Sequence, residues 1–282
     1  MEKYPSIFND VIGPVMRGPS SSHCAASLRI GRLCRDLMNA DIREVYIEFD
    51  PNGSLATTHK GQGSDMGLFG GFLGWEAFDE RLPGYQQAVA NAGIDITIDI
   101  HPIGATHPNT YQITLKNSRE THSMIALSTG GGMIQVTAID SAFVSMDGDF
   151  HETLIYVKEG SQTMALLELY PVFEEVTLHR GALDFIEIKS VKPVAADLLN
   201  SIKEMDDVLY IRHLAPVLPV LSRKDLRVPF ITAEQMVRYN ADKNLPLWKL
   251  ATHYEAARRS EEHTSELQSH LNLVCRLLLE KK

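Results

Sequence analysis

The sequence predicts an α+β protein with a larger first domain, a small second domain and a short helical segment after it. Over residues 1–150, one amphipathic helical pattern precedes several runs in which apolar and polar residues alternate, as they do in half-buried strands. Over residues 151–221, strand-like and helix-like runs alternate in a compact β-α-β-α-β unit, whose first helix is predicted in SQTMALLELYPVFEEV (161–176). A chain of 282 residues is long enough for two domains.

Composition and charge exclude several function classes. The net charge is -9 and the basic residues are scattered, so we expect no nucleic-acid partner. No apolar run approaches the ~20 residues that a membrane helix needs, and the N-terminus has no signal-peptide pattern, so we expect a cytoplasmic protein that does not span a membrane. Cys24, Cys34 and Cys275 form no CxxC pair, which argues against disulfides and against a self-contained zinc site.

The first domain begins with the loop RGPSSSHCAAS (17–27). A helix is predicted from Ser22 to about Met38, because apolar residues recur there at helical spacing. Strands are predicted in REVYIEFD (43–50), IDITIDIHPI (94–103) and NTYQITL (109–115), and STGGGMIQVTAI (128–139) is interpreted as one strand interrupted by three glycines. Several glycines also follow Gly63 inside a predicted helix, where each costs about 1 kcal/mol relative to alanine. We therefore expect another part of the backbone to pack closely there.

The second domain, residues 151–221, ends in SIKEMDDVLYIRHL (201–214), which resembles the last helix and strand of ACT domains, small modules that bind amino acids and pair with one another. The loop KEGSQT (158–163) departs from the Asp-x-x-Gly type expected after the first strand of such a domain. Residues 222–258 predict two short helices, too few to bury a core alone. The run RSEEHTSELQSH (259–270) matches a translated reading frame of a common sequencing adapter, so residues 259–282 are interpreted as an artefactual tail.

The serine loop carries the chemistry of a small-anion receptor. Ser20, Ser21 and Ser22 follow a Gly-Pro turn and lead into a helix whose first N–H groups have no partner within the helix. His23 adds a group that donates or accepts near neutral pH, and it is the candidate catalytic residue. The simpler interpretation is that one serine caps the helix and the others are solvated.

A second constellation lies at Lys60-Gly61-Gln62-Gly63-Ser64-Asp65. Lys60 is a cation and Asp65 an acceptor for an ammonium group, so the two segments together describe a site for an α-amino acid. The simpler interpretation makes Lys60 a solvated surface lysine and Asp65 a helix cap. A P-loop is the competing idea, but GxxxxGK[ST] is absent, and a pyridoxal Schiff base on Lys60 lacks a recognisable phosphate cup.

Three motifs in this order resemble the signature stretches of the iron-sulfur-dependent L-serine dehydratases, also called L-serine ammonia-lyases. They are GPSSSH (18–23), NGSLATTHKGQGSD (52–65) and STGGGMI (128–134). The resemblance covers residues 5 to about 140 and corresponds to the β chain or β domain. It continues through the ACT-like segment, and residues 222–258 resemble the truncated start of the family's α domain. The same β fold resembles the allosteric substrate-binding domain of some phosphoglycerate dehydrogenases.

The resemblance implies conversion of L-serine to pyruvate and ammonia without pyridoxal phosphate. In the family, an open iron of a [4Fe-4S] cluster acts as a Lewis acid on the substrate while a base removes the α-proton. By position, the residues that hold or border the substrate are Ser20, Ser21, Ser22, His23, Gly53, Ser54, Lys60 and Asp65. The implied partners are L-serine, the α domain or α chain, and a second copy in a homodimer.

The chain departs from the family pattern at three points. Cys24 stands where threonine is usual, and Gln62 stands where histidine is usual, so a proton carrier is missing at that spot. The cysteine ligands of the cluster lie in the α portion, and none of Cys24, Cys34 and Cys275 matches one. We therefore expect an L-serine dehydratase fragment that is inactive alone. The alternative is an amino-acid-binding regulatory module without catalysis.

Overall fold

The computed structural model describes residues 6–159, 163–167, 172–219 and 227–258. The predicted α+β class is confirmed, since two mixed or antiparallel sheets combine with several helices. The interpreted tail at 259–282, which includes Cys275, lies outside the described residues. None of the helices within the described ranges is long and apolar enough to cross a membrane.

The first sheet has six strands in the spatial order β2-β1-β3-β4-β5-β6. Strands β1 and β2 are parallel, and the other neighbours are antiparallel. A parallel pair requires a crossover connection, which the helices between β1 and β2 provide. The strands are β1 (Glu44–Phe49), β2 (Asp95–Ile100), β3 (Thr110–Lys116), β4 (Thr121–Gly130), β5 (Met133–Ile139) and β6 (Ala142–Met146).

The helix predicted from the serine loop is confirmed. A π-helical turn over Ser21–Ala25 continues directly into α1 (Ala26–Leu37), whose apolar face lies in the main core. The remaining helices of this unit are α2 (Leu55–Thr58), α3 (Ser64–Phe72), a 3-10 turn (Leu82–Gly84) and α4 (Tyr85–Asn91).

The close backbone approach expected from the glycines is the contact between α1 and α3. A Cβ at Gly67 would lie 2.0 Å from the Cys24 carbonyl oxygen, and one at Gly31 would lie 2.3 Å from that of Leu68. Both positions therefore require glycine, and the contact fixes the helix that carries the serine loop against α3.

The prediction of one interrupted strand over 128–139 is wrong. Gly130, Gly131 and Gly132 all have positive φ and form the turn of a hairpin between β4 and β5. Glycine adopts positive φ at little cost, so three consecutive glycines can form a tight turn. The run therefore reverses the chain and does not form a bulge within one strand.

The second sheet has four antiparallel strands in the order β10-β7-β9-β8. Its elements are β7 (His151–Val157), α5 (Thr163–Leu167), β8 (Glu175–His179), β9 (Asp184–Ser190), α6 (Ala196–Lys203) and β10 (Val208–Leu214). The predicted β-α-β-α-β order is wrong by one strand, because the helix predicted over 161–176 includes the start of β8. The observed β-α-β-β-α-β order is ferredoxin-like, and the ACT-like function and homodimer stay predictions.

The second sheet packs on both faces. Leu154, Tyr156 and Leu214 belong to the main core that they share with the first unit. Ile155 and Ile186, on the opposite face, join a second core with α6. The sheet is therefore docked against the first unit, and the boundaries proposed at 150 and 221 stay predictions.

The two helices predicted near the C-terminus are present as α7 (Ala233–Asn240) and α8 (Leu247–Arg258). Glu255 of α8 is buried and accepts hydrogen bonds from Ser6 Oγ at 2.6 Å and from the Ile7 backbone N–H at 2.9 Å. This segment therefore packs against the beginning of the described chain.

Candidate functional site

The serine loop forms the first turn of a continuous helix over residues 21–37. The backbone N–H groups of His23 and Cys24 both donate to the Ser20 carbonyl, at 3.3 and 2.8 Å. Ser20 occupies the cap position, but its side chain makes no capping hydrogen bond. The simple interpretation of Ser20 as an ordinary helix cap therefore does not apply, and its hydroxyl is used elsewhere.

That hydroxyl contacts His23, whose ring connects two of the predicted segments. His23 Nδ1 lies 3.1 Å from Ser20 Oγ and 3.3 Å from Ser22 Oγ. His23 Nε2 lies 3.1 Å from Thr58 Oγ1, in the helix that follows Ser54. The structure thus brings the GPSSSH loop and the NGSLATTHKGQGSD motif together through one imidazole.

The hydrogen bonds around Thr58 assign the tautomer of His23. Thr58 Oγ1 donates its only proton to the Ser54 carbonyl at 2.5 Å, so it accepts from His23 Nε2–H. His23 Nδ1 is then an acceptor for a serine hydroxyl. Partial burial lowers the pKa of His23 below its ordinary 6.5, which keeps the ring neutral at pH 7.

Ser21 differs from its two neighbours. Its side chain is partly exposed, and its hydroxyl has no partner among the described residues. The Ser22 carbonyl is held by Ser128 Oγ, which donates at 2.6 Å. The loop is thus fixed from the third motif, STGGGMI, while one hydroxyl stays available to a ligand.

Gly53 and Ser54 position the helix α2. A Cβ at Gly53 would lie 2.7 Å from the Pro108 carbonyl oxygen, and the Ser54 N–H donates to that carbonyl at 2.9 Å. The Ser54 hydroxyl donates to Asn109 Oδ1. Both residues thus hold the start of α2, where Thr58 contacts His23.

Lys60 and Asp65 are placed differently from each other. Lys60 is exposed, and it forms no ion pair with any of the described residues. Asp65 is 5% exposed, and its carboxylate lies 2.7 Å from His59 Nδ1. Asp65 is therefore engaged inside the protein, and its role as an acceptor for a substrate ammonium stays a prediction.

His59, Thr58, Asn109 and Ser128 each support the site, although none of them is among the residues predicted for it from the sequence. His59 and Thr58 lie within the quoted NGSLATTHKGQGSD motif, so a signal for them was present. Asn109 is 55 residues from its partner Ser54, and no local pattern marks such a contact.

The two described cysteines do not fit an iron–sulfur cluster. Cluster ligands are thiolates, but Cys24 Sγ–H donates to the Arg17 carbonyl at 2.9 Å and Cys34 Sγ–H contacts Met124 Sδ at 3.6 Å. Burial raises the pKa of Cys24 to about 11 and that of Cys34 further. Within the described ranges, no group of three or more His, Cys, Asp or Glu side chains is arranged to hold a metal ion.

Comparison with known proteins gives two curated relatives, whereas no protein-family model matches the chain. The chain is 37% identical over 221 residues to the probable L-serine dehydratase, beta chain, of Bacillus subtilis (strain 168), which covers 76% of this chain and 99% of that protein. It is 32% identical over 153 residues to the L-serine dehydratase, beta chain, of Peptoniphilus asaccharolyticus, covering 53% of this chain and 68% of that protein. The chain therefore belongs to the family of L-serine dehydratase beta chains.

Proposed function

We propose that this chain provides the substrate-carboxylate site of an iron-sulfur-dependent L-serine dehydratase, a lyase that releases pyruvate and ammonia. The observation that carries the proposal is the junction at His23, where the serine loop and the Thr58 segment meet beside the free Ser21 hydroxyl. Hydroxyl donors at a helix N-terminus are the groups that a carboxylate requires.

The roles of the chain's own residues follow from this geometry. Ser21 donates directly to the substrate carboxylate, and the hydroxyls of Ser20 and Ser22 turn from His23 Nδ1 toward it when it binds. His23, held neutral and oriented by Thr58, then offers Nδ1 as an acceptor near the substrate. Lys60, which is exposed and follows Thr58 in the chain, adds a positive charge that attracts the substrate carboxylate.

The cluster is assigned in this proposal to an α partner, because the described cysteines do not fit it. The names of both relatives identify them as beta chains, which implies a separate alpha chain in those enzymes. The iron–sulfur centre would supply Lewis-acid chemistry on the substrate. We propose the same arrangement here, in which this chain binds the substrate carboxylate and the α partner carries the cluster.

Reconstitution tests this proposal. The chain is mixed anaerobically with the α chain from the same genome, loaded with iron and sulfide, and L-serine-dependent pyruvate is measured. Pyruvate is expected from the mixture and from neither chain alone. Ser21→Ala should lower kcat/KM by roughly tenfold to a hundredfold, since a hydrogen bond to a charged group contributes about 1.5–3 kcal/mol. Ser118→Ala, at an exposed position away from the loop, is the matched control and should change nothing.

Other outcomes contradict separate parts of the proposal. Pyruvate from the chain alone would refute the assignment of the cluster to the α partner. No pyruvate from the mixture, together with tight binding of L-serine to this chain, would favour the regulatory module over the enzyme.

A further inference from the structure

A cavity of about 320 Å³ lies away from the serine loop, on a later turn of the same helix. It is formed where the stretch before the serine loop, α1, the loop at 76–78 and the segment 216–219 meet. Its volume is at the lower end of the range of roughly 300–1,000 Å³ that small-molecule sites occupy. None of the residues assigned to the serine site lines it.

The walls of this cavity are apolar apart from three charged side chains. Val15, Leu28, Phe78 and Val217 contribute to the apolar part. Phe78 is 57% exposed and Val15 is 78% exposed, so both present apolar surface at the opening instead of burying it in the core. Such a cavity favours a ligand with an apolar body.

The three charged side chains leave an excess of positive charge. Arg32 is paired with Glu76, their Nη1 and Oε1 atoms lying 2.5 Å apart. Arg29 is 9% exposed, and its guanidinium donates to the carbonyl oxygen of Gly132, a neutral group. Arg29 forms no ion pair with a carboxylate in the part of the chain that the structure describes. A buried cation of this kind is unfavourable, and a bound anion would neutralise it.

The electrostatics of Arg29 agree with this geometry. Burial lowers the pKa of Arg29 to about 10, and the negative charge of Glu76 partly opposes that shift. The guanidinium therefore stays protonated at neutral pH, with a desolvation cost that the Arg32-bound Glu76 only partly offsets.

We propose that this cavity is a second binding site, which takes a small monocarboxylate with a short apolar body. The carboxylate pairs with Arg29 and the apolar body contacts Leu28, Phe78 and Val217. Because Arg29 also holds the turn at Gly132, and the strand before that turn holds Ser22 through Ser128, a ligand here lies next to the supports of the serine loop. The site is independent of whether the serine loop binds L-serine.

Calorimetric titration of the full chain with isovalerate tests the proposal, and isovaleramide serves as the uncharged isostere. Isovalerate should bind and isovaleramide should bind about tenfold more weakly or not at all. Val15→Glu places a carboxylate at the exposed opening and should weaken isovalerate binding about tenfold. Val11→Glu is the matched control, because Val11 is 73% exposed and does not line the cavity.

Two further variants separate this site from the serine loop and from misfolding. Binding of isovalerate should persist in the double variant Ser21→Ala, His23→Ala. Phe78→Ser, at an exposed lining position, should weaken binding while circular dichroism stays unchanged. The proposal is overturned by no binding of isovalerate, by equal binding of the amide, by equal effects of Val15→Glu and Val11→Glu, or by loss of binding in the serine-loop variant.

Discussion

Gly67→Ala is expected to destabilise the protein by about 2 kcal/mol and to weaken the binding of L-serine at the serine loop. The new Cβ would lie 2.0 Å from the Cys24 carbonyl oxygen, whereas ordinary contact begins at 3.4 Å, so α1 and α3 must separate by about 1.4 Å. Overpacking of this kind costs about 3 kcal/mol at the upper end of its range. The gain in helix propensity from glycine to alanine offsets about 1 kcal/mol.

Urea denaturation and thermal unfolding measure this effect. A loss of about 2 kcal/mol lowers Tm by roughly 4–8 °C in a chain of this size. The matched control is Gly61→Ala, in the same segment, where a Cβ would meet nothing within 4 Å. If Gly67→Ala is as stable as Gly61→Ala, the close contact between Gly67 and the Cys24 carbonyl does not stabilise the fold, because the two helices would then separate without loss of stability.

Two further changes test the interface between the sheets. Glu152 is buried near the Glu187 carboxylate. Burial first, and the negative charge of Glu187 second, raise the pKa of Glu152 well above 4.5. The protonated form therefore stabilises the fold at low pH, and this contribution is lost as the pH rises above about 4.5. The stability of Glu152→Gln relative to wild type should increase with pH in urea titrations, and a pH-independent difference would contradict this. Tyr156→Phe removes the 2.6 Å hydrogen bond to Asp140 Oδ2 and should lower the free energy of unfolding by about 1–3 kcal/mol. Tyr46→Phe, at an exposed hydrogen bond, is the control and should change it by no more than about 0.5 kcal/mol. Equal effects of the two variants would contradict a stabilising role of the buried Tyr156–Asp140 hydrogen bond.

Features with a local periodic signal were predictable from the sequence. The helix after the serine loop follows from apolar residues at helical spacing, and the structure places that face in the core. The close packing at Gly67 was predictable from its cost in a helix, although its partner Cys24 was not. In β8, Val176 and Leu178 alternate as in a strand. The apolar run MALLELY before them favours a helix, and the helix predicted from it wrongly includes the start of β8.

The contacts that define the site depend on distant parts of the chain. His23 meets Thr58 across 35 residues and Ser128 meets Ser22 across 106. Such pairs are set by how α1, α2 and β4 pack, and no spacing rule within one segment reports them. Asp65 has a buried partner, His59, that the sequence pattern does not indicate, and its role as an acceptor for a substrate ammonium stays a prediction.

The proposed function requires that the serine loop of this chain recognises the carboxylate of L-serine. Calorimetric titration tests it most directly, with L-serine and L-serinamide as ligands and with wild type, Ser118→Ala and the double variant Ser21→Ala, His23→Ala as proteins. L-serine should bind to wild type and to Ser118→Ala, and binding should be lost with the amide and with the double variant. Equal binding of L-serine to wild type and to the double variant, or equal binding of the amide, would contradict it.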